Sequence, residues 1–158
     1  MKNSIKKGLG FGLTSGSITS LGLMIGLYSS TESLLAILGG LFVIAVADSL
    51  ADGLGMHVSE ESNYKKSKRE IWEATFSTIF FKFIFAISFM IPFLIFNLSV
   101  AIYIGVIWGI ILISASSYKI GKLRGEPYRM IFEHLGIAIL VLVSSYLIGL
   151  LVRSVAGS

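Results

Sequence analysis

The sequence has no cysteine, only two histidines and two prolines, and few charges: Asp, Glu, Lys and Arg make up 14% of its 158 residues. Without cysteine there is no disulfide, no thiolate ligand and no thiol nucleophile. Two histidines with no cysteine do not build a structural zinc site of the usual kind. A soluble domain carries roughly 25% charged residues; little more than half that share leaves too little polar surface to cover a globule in water. Signatures of catalysis are missing as well, with no nucleophile–base constellation, no HExxH pair and no phosphate loop. Gly8-x-Gly10-x-Gly12 is not a dinucleotide loop, because no strand precedes it and no βαβ unit follows. We therefore read the chain as no enzyme, with no resident cofactor.

What is there is apolar: 54% of residues are hydrophobic and the mean hydropathy is +0.84. Long apolar runs alternate with short charged patches, the pattern of an all-α integral membrane protein with one membrane domain over residues 1–158. The net charge of +4 comes from those patches. In this setting basic residues report topology and anionic headgroups rather than nucleic acid. A hydrocarbon core needs about 20 apolar residues per helix. The sequence predicts five such spans, over about 8–28, 34–58, 76–98, 100–117 and 130–152, with a linker over 59–73. Met1 to Lys7 and the run that follows resemble a signal peptide. That run of about 21 residues exceeds a signal h-region, however, and no small-residue cleavage site follows it, so it reads as the first span. Pro92, which has no N–H to donate, should kink or end the third helix. The third and fourth helices should form a tight hairpin near Asn97.

Topology follows from the basic residues. Lys2, Lys6 and Lys7 precede the first span. Lys65, Lys66, Lys68 and Arg69 follow the second, and Lys119, Lys122, Arg124 and Arg129 lie between the fourth and fifth. Five spans put all three clusters on one side and leave only Arg153 on the other. The positive-inside rule makes the N-terminus cytoplasmic and the C-terminus external, in a multi-pass protein of the cell membrane. Gly12 and Gly16 are four apart, as are Gly22 and Gly26. Small residues at that spacing let helix backbones approach, within the protomer or across a homodimer.

The second span holds residues that lipid should exclude. Asp48, Asp52, Met56 and Glu60 follow one another at steps of four. Each step advances about 40° around a helix, so they form one slowly winding stripe. An ionised carboxylate in a bilayer needs water, a cation or a partner. The stripe reads as a ladder of oxygen ligands with one thioether, suited to Fe²⁺ or Mn²⁺ and less to Mg²⁺ or Ca²⁺. His57 is turned away from it. The plainer alternative is a buried salt bridge from Asp52 to Lys82, which lie at matching depths; Asp48 has no evident cation at its depth. Glu61, Glu70 and Glu73, with Glu60, flank the basic run 65–69. They are either a solvated surface with internal ion pairs or an acidic vestibule that captures metal. Glu133 and His134, one turn into the fifth helix, read as interfacial groups.

At this point the sequence resembles the vacuolar iron transporter family. Residues Gly12 to Thr19 are similar to its glycine-rich first-helix stretch GLSDGLTT. Ala47 to Glu60 looks like its segment LANLVAGALSMALGE, which sets Met56 on the family's metal-binding methionine and Glu60 on its GE glutamate. Asp48 falls on its usual Asn. Ala74-Thr75-Phe76, Ile91-Pro92 and Ser145 to Gly149 are similar to its ATF, IP and TYLIG, in the same order. Two differences stand out. Ser15 occupies the place of the family's first-helix Asp, and the linker 59–73 replaces a long glutamate-rich metal-binding domain. Asp52, where the family has a small residue, would stand in for the missing carboxylate. The resemblance implies a homodimer with an ion path lined by the first two helices, exporting Fe²⁺ or Mn²⁺ from the cytoplasm in exchange for protons. The alternative is a non-transporting membrane scaffold whose buried charges fix helix register.

Overall fold

A computed structural model describes residues 2–156. The described elements are all helical: α1 (Asn3–Thr31), α2 (Leu34–Glu61), α3 (Lys68–Ser88), α4 (Ile91–Ile95), α5 (Leu98–Arg124) and α6 (Pro127–Val155). Five segments are long and apolar enough to cross a membrane, α3 and α4 together forming the third. The chain is thus a multi-pass membrane protein. The helices outrun the expected spans because 27 to 29 residues reach about 40 Å, against a hydrocarbon core of about 30 Å. Their ends carry the charged clusters.

Local chemistry sets the boundaries. The Ser33 side chain accepts from the Ala36 N–H and opens α2. A reciprocal capping box between Ser67 and Glu70 opens α3. Gly125 closes α5 at φ 78°, a left-handed conformation that costs little without a side chain. α3 stops at Ser88, before Pro92, which sits in the first turn of α4. Asn97 caps α5 directly after that short helix, so the connection is as short as expected. The expected hairpin is corrected in that, of the third span, only α4 packs against α5, while α3 lies against α1 and α2.

α1 is the central helix, packed against α2, α3, α5 and α6. Its glycines explain how. A Cβ on Gly12 would stand 2.8 Å from the Lys82 backbone nitrogen, and one on Gly16 would stand 3.1 Å from the Lys82 carbonyl oxygen. Both positions need glycine for α3 to lie this close, the small-residue packing that membrane helices use in place of a hydrophobic driving force. Gly22 and Gly26 turn the other way, toward Val141 and Ser145 of α6. All four glycines therefore serve contacts within the protomer. The main apolar cluster includes Leu21 and Met24 of α1, Ile37 and Leu41 of α2, Phe89, and Ile113 of α5. Large apolar side chains such as Phe42, Leu54, Phe132 and Leu151 point outward, where lipid would meet them.

Candidate functional site

The polar residues of the spans converge where α1, α2 and α3 meet. Gly12 and Gly16 bring the Lys82 backbone against α1. Gly53 leaves α2 room for Ile79, one turn before it on α3. Lys82, 1% exposed, is thereby held between two helices. Its ammonium has three partners. It donates to Asp52, donates to the Ser15 hydroxyl at 3.0 Å, and lies 2.6 Å from Asp48 Oδ2. The Asp48 contact is an ion pair without the alignment of a hydrogen bond. Ser15 in turn donates to Asp52 Oδ2 at 2.7 Å.

The expected Asp52–Lys82 pair is therefore present. The expectation that Asp48 lacks a cation at its depth is corrected: the same ammonium reaches both carboxylates. The physical reason is reach. Four residues of helix separate Asp48 from Asp52 by about 6 Å along the axis, and a lysine head midway between them contacts both. Formally two carboxylates face one ammonium, leaving one negative charge in excess. Ser15 touches Asp52, so the serine and the carboxylate of the neighbouring helix do share one place.

The rest of the stripe runs toward the end of the bundle that carries Lys7. Met56 is buried and lines a cavity of about 210 Å³ with Lys7, Phe11, Asp52, Gly55 and Ser59. Glu60 is buried and ion-paired to Lys7, with Lys66 at 3.9 Å. Toward the other end, Asp48 borders a groove of about 480 Å³ lined by Leu23, Gly40, Val43, Ile44, Ala47 and Ala51.

Of the other acidic residues, Glu70 and Glu73 line one hollow of about 470 Å³ with Lys2, Asn3, Ser4 and Arg69, where both are engaged by neighbours. Glu70 is committed to the Ser67 cap. Glu73 accepts from Lys2 at 2.5 Å, from Ser4 at 2.9 Å and from Arg69 at 2.9 Å. Glu61 is exposed. Among the described residues no group of three or more His, Cys, Asp or Glu is placed to hold a metal. His57 faces away from the stripe, with Nδ1 3.1 Å from the Thr75 hydroxyl and its ring 4.6 Å from that of Trp72. Glu133 pairs with Arg129.

Two features went unread in the sequence. One is the Lys7–Glu60 pair, whose signal is that antiparallel α1 and α2 bring the start of one beside the end of the other. The second is a polar seam along α1, α5 and α6. There Thr14 donates to Ser116 at 3.4 Å, and Ser117 meets His134 Nδ1 at 2.7 Å. Comparison with protein families, with curated proteins and with solved structures finds no match to this chain.

Proposed function

We propose that the chain is a divalent cation transporter of the cell membrane, which exports Fe²⁺ or Mn²⁺ from the cytoplasm in exchange for protons. The observation that carries this reading is a polar site inside a membrane bundle, two carboxyl groups to one ammonium, with a cavity leading from it past a thioether to one end. Simple helix anchoring calls for balanced charge or none, because intramembrane carboxylates are costly.

In this reading the Lys7 end is cytoplasmic, and Glu60 meets the ion at the mouth. Met56 offers a soft contact on the way, and Asp52 and Asp48 take the ion with the Ser15 hydroxyl as a neighbouring oxygen. Proton exchange is natural for such ligands, since a carboxylate that gives up its metal in an acidic compartment takes up a proton. The apolar groove beside Asp48 supports a homodimer, because a second copy over the α1–α2 seam would keep lipid from that carboxylate. The resemblance to vacuolar iron transporters points the same way.

A scaffold is the second reading, favoured by one observation: the Lys82 ammonium already has three oxygen partners. Flux in proteoliposomes decides between them. With an inward-acidic pH gradient, wild-type protein should move Mn²⁺ or Fe²⁺, and Asp48→Asn should keep expression and size while flux falls steeply. Met56→Leu should change the preference between the two metals more than the maximal rate. No metal flux under any gradient would leave the scaffold.

A further inference from the structure

Two hollows lie along the seam between α1 and α2. One is lined by Leu23 and by α2 residues between Gly40 and Ala51, and it reaches Asp48. The other is lined by Lys7, Phe11 and α2 residues between Asp52 and Ser59, and it reaches Asp52. Between those carboxylates stands the Lys82 ammonium, on a backbone that Gly12 and Gly16 press against α1.

We infer that Lys82 is a tethered counter-cation: it occupies the ion's place between Asp48 and Asp52 and so determines which cations the path accepts. This builds on the transport reading, to which it adds a residue that sets specificity. Oxygen atoms from three side chains surround one positive charge, the environment that a hard cation also seeks. A divalent ion between the two carboxylates makes the site neutral only when the ammonium has moved away. With the ammonium still in place the site would carry a net positive charge away from water. Ion and lysine head are therefore alternative occupants. A monovalent ion brings no more charge than the lysine, and it competes with a head group whose tether gives a high local concentration. A divalent ion doubles the attraction and can displace it. Lys82 thus screens out the abundant monovalent cations.

The test titrates purified full-length protein in detergent with MnCl₂, following free Mn²⁺ by its paramagnetic resonance signal. Lys82→Met keeps the unbranched shape of the side chain, one atom shorter, and removes the charge. It should bind Mn²⁺ at least tenfold tighter than wild type, and excess NaCl should now weaken that binding. Adding Asp48→Asn and Asp52→Asn to it should abolish the gain. Unchanged or weaker Mn²⁺ binding by a Lys82→Met protein that elutes as wild type does would overturn the inference. Should that variant not fold, Ser15→Asp in the wild-type background adds a carboxylate at the ammonium's third partner. It should also tighten Mn²⁺ binding severalfold, and no change there overturns the inference as well. Flux by wild type is measured separately. Flux with no gain in Lys82→Met rejects the role of Lys82 and leaves transport standing. No flux, with a tenfold gain in Lys82→Met, rejects transport and keeps Lys82 as a counter-cation.

Discussion

A lysine shared by two carboxylates makes an unusual demand on stability: the single substitutions should be mild and the double one severe. The Lys82 side chain is 1% exposed, while those of Asp48 and Asp52 are 26% and 24% exposed. The lysine is therefore the most deeply buried of the three. Asp48→Asn leaves the ammonium on Asp52 and Ser15 and removes a contact that is not aligned as a hydrogen bond. A loss of about 1 kcal/mol or less is expected, because the ammonium keeps two hydrogen-bonded oxygen partners. Asp52→Asn weakens two charge-assisted hydrogen bonds but keeps an oxygen as acceptor, for about 1–2 kcal/mol. The double variant leaves a buried ammonium among neutral groups, which costs about 3–5 kcal/mol. The coupling is then about 1–2 kcal/mol, within the range seen for groups in one network. Adding Lys82→Met to the double variant removes the orphan charge, and stability should return close to wild type. Unfolding of each variant in one fixed detergent mixture, titrated with SDS and followed by circular dichroism, measures all of these. Additive losses at Asp48 and Asp52, within about 0.5 kcal/mol, would refute the shared lysine. So would a triple variant as unstable as the double.

The remaining expectations concern packing, topology and the mouth of the path. Gly12→Leu should abolish the folded species in size-exclusion chromatography, since even a Cβ there would meet the Lys82 backbone. By contrast Gly136, around which a Cβ meets nothing within 4 Å, should tolerate Ala and gain about 0.5–1 kcal/mol of stability; equal effects at both positions would contradict the close α1–α3 contact. A reporter fused after Ser158 should be found outside the cytoplasm, and a cytoplasmic signal would overturn the assigned orientation. Lys7→Ala should lower the apparent KM for Mn²⁺ by freeing Glu60, whereas Glu60→Gln should raise it with little change in maximal rate. Opposite signs at these two positions are the discriminating result.

The membrane architecture was legible because its signal is one-dimensional. Apolar runs of fixed length, basic clusters between them and Pro92 locate the helices without knowledge of any contact. The stripe from Asp48 to Glu60 was equally legible, being a matter of period along one helix. What the stripe touches depends on how neighbouring helices slide against each other, and that depends on where α1 lacks side chains. Gly12 and Gly16 set the height of Lys82, and this height decides whether the lysine serves one carboxylate or two. Glu70 is a different case. Ser67 and Glu70 already stand at capping-box spacing in the sequence, so its structural role was readable there. The run of charges around it instead left an ion-paired surface and metal capture both open. Lys7 and Glu60 lie 53 positions apart in the chain, and only the antiparallel pairing of α1 and α2 makes them neighbours.

The glycine contact between α1 and α3 also bears on timescale. With the Lys82 backbone wedged against Gly12 and Gly16, tilting or sliding α3 would open a void along the closest-packed seam of the bundle. The four-carbon stem of the lysine is buried too, with its Cγ close to Gly16, but its outer carbons can turn without shifting any backbone. The least disruptive opening at this site is therefore a swing of one side chain, slower than an exposed rotamer because the lysine is buried and ion-paired, yet needing no rocking of whole helices. Its frequency would be governed by how often a charged head group lets go of its oxygens. Salt, membrane voltage and the ion itself would then act on that frequency directly, with no rearrangement of the helices standing between cause and effect.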